Sequence, residues 1–218
     1  MSKLNVYDLE KYKSLSSLKD ANNELNKKES EFNELLAKVI ALTERHNIEL
    51  GLRLIHGHDI PLEDGQAMVE KFDNYQDEPA LITSATVPNG KAYPASWILC
   101  DDKYLVFEYS TDLRVKQVYE RLLENSFVLD EISTHIRQYK LDSLIGPCII
   151  ARDTMSKFNT KQGQGFIEDT FKIEDKYANI IQSKPITKSC ESIKTLWGVK
   201  VNDFCLTILP FYCCKRDS

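Results

Sequence analysis

Every second residue from 48 to 54 is apolar, and two histidines continue the same spacing to residue 58. This alternation constrains the fold more than any other pattern in the chain. The intervening residues include the charged Glu49 and Arg53. A period of two is typical of a β-strand with one apolar face. The pattern therefore predicts a strand whose apolar face ends in two histidines. The residues of that face are Ile48, Leu50, Leu52, Leu54, His56 and His58.

Two histidines at this spacing are candidates for a functional site. At a rise of 3.2–3.4 Å per residue, the Cβ atoms of His56 and His58 would lie roughly 7 Å apart on one face. Both imidazoles would then reach one metal ion, for which Zn–N distances are about 2.0–2.1 Å. Gly57 between them would let a backbone or a ligand approach closely. The same pair also fits a binding or acid–base role toward an organic ligand, or a structural role in hydrogen bonds to carbonyls.

A third metal ligand is proposed from the next strand. A turn of composition DIPLEDG precedes a second predicted strand, residues 66–72. In a hairpin that keeps Leu54 and Phe72 on one face, His56 lies opposite Glu70. Two histidines and a carboxylate are a common ligand set for a divalent metal with open positions. The hairpin therefore predicts a site for a divalent metal cofactor with the ligands His56, His58 and Glu70.

Residues 14–46 carry apolar side chains at seven-residue intervals and are predicted to form one long amphipathic helix. Ser17 is a candidate N-cap. The second half is expected to pack on the domain, and the first half to project or to pair with a protein partner or a second copy of the chain. The chain is accordingly divided into a helical segment, residues 1–46, and one domain, residues 47–218. The repeating positions are Leu18, Leu25, Phe32 and Val39.

The rest of the chain is predicted to form short strands and one helical stretch. The helical stretch, residues 112–140, has a candidate cap at Thr111 and a break at Asn125 and Ser126. Because consecutive strands are joined by short turns, we expect an α+β fold with a mainly antiparallel sheet packed against this helix pair. The predicted strands are residues 80–87, 95–100, 103–109, 148–151, 166–173, 177–183, 193–201 and 204–213.

Charge and composition exclude several classes of protein. The net charge of −5 argues against a nucleic-acid partner, since a phosphate backbone requires a basic surface. No run of about 18 apolar residues is present, so no membrane span is expected. The start, MSKLNVYDLEKYKS, lacks the apolar core of a signal peptide, and a cytoplasmic location is expected. The six cysteines form no C-x-x-C pair, so reduced thiols are expected.

Aromatic residues of the central strands are candidates for the wall of a pocket. Tyr93, Trp97 and Tyr104 lie in or beside two predicted strands. The alternative is that they belong to the core, as aromatic residues in strands often do. The predicted ligand-binding residues are His56, His58, Trp97 and Tyr104.

The run LGLRLIHGHDIPLEDGQAMVE, with its L-x-H-x-H motif, and the pair Ser96-Trp97 resemble a group of uncharacterised proteins found mainly in fungi. The resemblance spans His46 to Trp97, roughly a quarter of the 218 residues. Members of the group usually have an aromatic residue after the second histidine, where this chain has Asp59. The group has no established activity, so the resemblance implies no mechanism and only supports a role for the two histidines.

Two functional hypotheses follow. In the first, the protein is an enzyme or carrier with a pocket for a small molecule or a metal, and His56 and His58 lie at that site. In the second, it is a protein–protein interaction module that uses the N-terminal amphipathic helix. A pocket centred on the histidines favours the first hypothesis, whereas an exposed stripe on the helix favours the second.

Overall fold

The computed structural model describes residues 4–101, 103–151, 158, 164–173, 175–185, 192–202, 205–208 and 211–214. The helices are α1 (Leu9–Lys13), α2 (Leu18–Asn26), α3 (Glu29–His46), α4 (Leu113–Glu124) and α5 (Phe127–Gln138). The strands are β1 (Leu50–Leu54), β2 (Ala67–Tyr75), β3 (Glu78–Thr86), β4 (Tyr93–Cys100), β5 (Lys103–Ser110), β6 (Ile145–Ile149), β7 (Gln164–Ile173), β8 (Lys176–Pro185), β9 (Ser192–Asn202), β10 (Cys205–Ile208) and β11 (Phe211–Cys214).

The N-terminal region forms three helices, so the prediction of one continuous helix over residues 14–46 was wrong. Ser17 adopts an extended conformation, and its hydroxyl accepts a hydrogen bond from the Asp20 backbone N–H at 3.2 Å. This is the predicted N-cap, but it starts α2 anew, because an N-cap residue lies outside the helix. A second break follows at Lys28, which has non-helical backbone angles. None of the described helices is long and apolar enough to cross a membrane.

The second helical region agrees with the prediction. It consists of α4 and α5, which are separated at Asn125 and Ser126. The cap of α4 differs by one residue from the prediction, since the Asp112 carboxylate, rather than Thr111, accepts from the Arg114 N–H at 2.8 Å. Apolar residues of α2, α3, α4 and α5 share one core cluster with β1 and β4.

The strands form one large, curled sheet, in which the described strands follow the order β1-β6-β4-β5-β2-β3-β8-β7-β11-β9-β10. Strand β9 also pairs with β1 through residues 196–198 and 51–53. The sheet therefore closes on itself, and β10 extends from β9. Most neighbouring strands are antiparallel, as predicted, but β2 with β5 and β7 with β11 are parallel pairs. The fold is α+β with a mixed sheet, and the expectation of a plain antiparallel sheet needs this correction.

The predicted hairpin between β1 and the following strand does not exist. Strand β1 pairs with β6 and β9, whereas β2 pairs with β3 and β5. The turn between β2 and β3 explains this choice, because Gln76 and Asp77 both have positive φ angles, 53° and 65°. Two such residues favour a tight hairpin turn. The segment between β1 and β2 instead buries Ile60 and Leu62 in a separate apolar cluster.

The two faces of the curled sheet bury different kinds of residue. Alternate residues of β1, Leu50, Leu52 and Leu54, belong to the cluster that contains the helices. The opposite face of β1 carries Gly51 and Arg53, and it points to the inside of the sheet. This inner space holds two apolar clusters, one around Phe107 and one around Phe166. Buried polar side chains lie between them and form the candidate site described next.

Candidate functional site

The two histidines lie just beyond the end of β1, inside the curled sheet. His56 has 2% of its surface exposed, and the side chain of His58 has 4% exposed. Their ring centroids are 4.7 Å apart, so the structure brings them together as expected. They are not on a strand face, however, because β1 ends at Leu54. The His56 Nδ1 atom lies 3.0 Å from the carbonyl oxygen of Leu54, which makes Nδ1 the protonated nitrogen of a neutral ring.

His58 takes part in a hydrogen-bond network that links opposite sides of the sheet. Its Nε2 atom is 3.1 Å from a carboxylate oxygen of Glu108 on β5. Its Nδ1 atom is 2.5 Å from the amide nitrogen of Asn179 on β8. The Asn179 amide also donates to Glu168 on β7 at 2.7 Å, and its Oδ1 accepts from the Thr170 hydroxyl at 2.8 Å. We call these five residues the histidine network.

The bonds of the histidine network determine the proton positions on His58. A carboxylate only accepts hydrogen bonds, so the Asn179 group that faces Glu168 must be its NH₂. The same NH₂ group faces His58 Nδ1, which must therefore accept. The proton of the neutral ring then lies on Nε2 and is donated to Glu108. Both ring nitrogens of His58 thus have hydrogen-bond partners within the protein.

Glu108 reaches this network because of a β-bulge. Trp97 of β4 is opposite Val106, but Ser96 is opposite Glu108, so β5 contains one extra residue, Phe107, at this step. The extra residue reverses the alternation of β5 and lets both Phe107 and Glu108 face the inside. There the Arg53 guanidinium donates to Glu108 at 2.8 Å. Burial would raise the pKa of Glu108, but the Arg53 charge and the His58 hydrogen bond outweigh burial and lower the pKa to about 2.

Glu70 does not take the place that the predicted hairpin assigned to it. It is buried on β2 and accepts a hydrogen bond from the Ser110 hydroxyl at 2.9 Å. The carboxylate beside His58 is Glu108, which the sequence did not single out for this position. In the described part of the chain, no group of three or more His, Cys, Asp and Glu side chains is arranged to hold a metal ion.

Trp97 and Tyr104 lie in the core that the helices cover. Trp97 is fully buried, and its indole N–H donates to the Leu4 carbonyl oxygen at 2.9 Å. Tyr104 is also buried, and its hydroxyl donates to the carbonyl oxygen of Leu129 in α5. Both polar groups thus have partners within the protein. The structure therefore places these two residues away from the histidines, in the alternative position that the sequence left open.

The described residues pack closely around the histidine network. Tyr12 of α1 covers His58 with a ring–ring centroid distance of 6.4 Å. Arg53, Glu70 and Glu168 help to line a cavity of about 10 Å³, which is close to the minimum for one water molecule. This cavity has room for water but not for an organic ligand.

Acidification is expected to destabilise the protein through His56. Burial is the main cause and the nearby Arg53 charge a further one, and together they lower the pKa of His56 to about 3. The unfolded chain has the ordinary value of about 6.5, so it binds a proton first as the pH falls. Between pH 7 and pH 5, the free energy of unfolding should therefore decrease by about 2 kcal/mol on account of this residue. Urea denaturation at several pH values measures this slope.

The matched variants for this experiment are His56→Asn and His135→Asn. Asparagine at position 56 keeps a donor toward Leu54 but cannot gain a proton. The pH dependence of the free energy of unfolding that His56 causes should therefore be absent in this variant. The second variant changes a histidine of α5 outside the network and should keep the slope of the wild type. Equal slopes in the two variants would show that His56 is not held neutral in the folded protein.

A second region, on the outside of the sheet, is an open cleft with aromatic walls. Its volume is about 690 Å³. One wall is the N-terminal segment, which is held in place by Leu4 as described above and by a hydrogen bond from the Val106 N–H to the Val6 carbonyl at 2.7 Å. The turn at residues 87–92 and β4 form the facing walls. We call it the tyrosine cleft after its principal lining residues, Tyr7, Tyr93, Tyr109 and Tyr119, together with Asn5.

The amide of Asn5 supplies the hydrogen-bond donors of the tyrosine cleft. The Tyr109 hydroxyl donates to Asn5 Oδ1 at 3.1 Å, so the Nδ2 group of Asn5 presents N–H donors. Burial, together with Tyr119, raises the pKa of Tyr109 to about 12. Burial also raises the pKa of Tyr7 and Tyr119. These phenols therefore keep their protons at neutral pH.

Sequence reasoning included Tyr93 among the pocket candidates but missed the other members of the cleft. Its tyrosines come from the N-terminal segment, β4, β5 and α4, and no spacing in the sequence connects them. The histidine network and the tyrosine cleft are therefore interpreted from their own geometry and chemistry, because no protein-family model, no curated protein and no solved structure matches this chain.

Proposed function

We propose that this protein is a binding protein and that the tyrosine cleft holds its ligand. The observation that carries the proposal is the cleft itself, which combines a volume of about 690 Å³ with walls made of tyrosine rings. Ligand clefts usually have about 300–1,000 Å³ and are lined by aromatic and apolar groups with a few polar ones. By comparison, the cavity that described residues line beside the histidine network has a volume of only about 10 Å³.

The lining of the cleft favours an uncharged ligand. The described residues around it are tyrosine, asparagine, proline, glycine, alanine and valine, and none has a charged side chain. Lys116 lies over the Tyr93 ring at 5.8 Å from its centroid, but it is paired with Glu120 at 2.8 Å. A charged ligand would lose hydration without gaining an opposite charge in return.

The same lining favours a role in binding over a role in catalysis. Apart from protonated phenols, the described lining residues contain no acid, base or nucleophile. The buried histidine and carboxylate with lowered pKa values, His56 and Glu108, lie inside the sheet. In this proposal His56 and His58 stabilise the fold, and a ligand does not touch them.

The hypothesis of a partner surface on the N-terminal helices gains no support from the geometry. Leu25 and Phe32 are buried with 5% of their surface exposed each, and Leu18 is half-buried against the same core cluster. The apolar stripe that was predicted to attract a partner is thus already covered by the sheet and by α5.

A fragment screen tests the proposal. We expect uncharged aromatic fragments that carry a carbonyl group to bind the wild-type protein in saturation-transfer NMR experiments, because they complement ring faces and N–H donors. Tyr119→Ala should weaken the binding of these fragments by roughly tenfold or more, since a ring contact contributes about 1 kcal/mol or more.

The matched control is Tyr177→Ala, which removes an exposed tyrosine of β8 outside the cleft. This variant should bind the fragments as the wild type does. The proposal would be refuted by a screen in which no uncharged fragment binds, or by fragments whose affinity is insensitive to Tyr119.

A further inference from the structure

We propose that the natural ligand of the tyrosine cleft is a proline-rich segment of a partner protein in the polyproline II conformation. The inference rests on the proposed function of the cleft and names the chemistry of its ligand. It is carried by three properties of the cleft: aromatic side chains in its walls, the N–H donors of the Asn5 amide, and an uncharged lining.

The aromatic walls match the side chains of such a segment. Proline rings are flat and apolar, and they project at regular intervals from an extended backbone that rises about 3.1 Å per residue. Proline-rich segments are commonly recognised in grooves lined by aromatic side chains. In the cleft, Tyr7 and Tyr109 lie with ring centroids 6.3 Å apart, and Tyr93 and Tyr119 add two further ring surfaces.

The donors match the backbone of the segment. Proline has no N–H group, so a proline-rich chain offers carbonyl acceptors and few donors. Because the backbone of polyproline II makes no internal hydrogen bonds, these carbonyls are free to accept from a partner. The Asn5 amide presents its N–H groups while Tyr109 occupies its oxygen.

The uncharged lining separates this ligand from other peptide classes. Phosphorylated or acidic segments are recognised by clusters of arginine, and none of the described lining residues is basic. Polyproline II needs no charge, and it loses little conformational entropy on binding because it is already extended in solution.

Calorimetric titration with an acetylated and amidated nonaproline peptide tests the inference. We expect it to bind the full-length protein, whereas an uncharged Gly-Ser peptide of equal length should not, because that chain is flexible and has no rings. Tyr119→Ala should weaken nonaproline binding by roughly tenfold or more.

The variant Asn5→Asp tests the role of the Asn5 donors directly. It keeps the oxygen that Tyr109 needs but replaces the N–H donors with an acceptor, so nonaproline binding should fall by roughly tenfold or more. Asn23→Asp, which makes the same change on the exposed face of α2, should have no effect. If neutral fragments bind in the cleft but nonaproline does not, the inference is overturned and the proposed function stands. If neither binds, both are overturned.

Discussion

Replacing Gly146 with alanine is expected to prevent stable folding. Gly146 lies in β6, and a Cβ atom at this position would be 1.9 Å from the carbonyl oxygen of Trp97 and 3.1 Å from its carbonyl carbon. Both are backbone atoms, so no side-chain rotation relieves the overlap, and β6 would have to move away from β4. We expect the free energy of unfolding, measured by urea denaturation, to fall by at least about 3 kcal/mol, the upper end for overpacking in a core.

Gly90→Ala is the matched control for this change. Nothing lies within 4 Å of a Cβ atom at Gly90, so its free energy of unfolding should stay within about 0.5 kcal/mol of the wild-type value. Both variants add one methyl group and restrict the unfolded chain equally. The difference between their free energies of unfolding therefore isolates the contact of β6 with β4. Equal stability of the two variants would contradict the packing of β6 against β4.

Replacing Arg53 with methionine is expected to destabilise the protein by about 3–5 kcal/mol, the usual loss when one partner of a buried ion pair is removed. The side chains of Arg53 and Glu108 have 7% and 4% of their surface exposed. Without the guanidinium, burial raises the pKa of Glu108. The variant therefore gains a proton on Glu108 more readily than the wild type. As the pH falls below about 5, the difference in the free energy of unfolding between the variant and the wild type should become smaller.

Two further variants separate this effect from a general sensitivity to charge. Arg45→Met breaks an exposed ion pair with Glu131, in which the side chains are 63% and 39% exposed. It should lower the free energy of unfolding by no more than about 1 kcal/mol. Adding Glu108→Leu to Arg53→Met removes the uncompensated carboxylate and should recover part of the lost stability. A loss in Arg53→Met no larger than that in Arg45→Met would show that the pair does not stabilise the interior.

Most of the helices and strands could be predicted from the sequence, because their signals are local. The alternation along β1, the break between α4 and α5 and the Ser17 cap each depend on a few neighbouring residues. The strand order could not be predicted, because β1 pairs with β6 and β9, which lie far along the chain. The wrong partner for β1 then placed Glu70 beside the histidines.

The site was predictable only in part, for a similar reason. The nearness of His56 and His58 follows from their spacing, and it was correctly expected. The role of Glu108 depends on the bulge at Phe107, which the sequence of β5 does not reveal because residues 104–107 are all apolar. The tyrosine cleft depends on four elements meeting in space. Such a site becomes visible only when the strand order is known.

In the proposed function, the ligand occupies the tyrosine cleft and not the interior around the histidines. The most direct measurement is a titration of protein labelled with ¹³C in its tyrosine and histidine rings, using the tightest-binding uncharged fragment and recording ring resonances by NMR. We expect the ring resonances of Tyr7, Tyr93, Tyr109 and Tyr119 to shift, and those of His56 and His58 to stay unchanged. Shifts that centre on the two histidines and leave the four tyrosines of the cleft unmoved would contradict it.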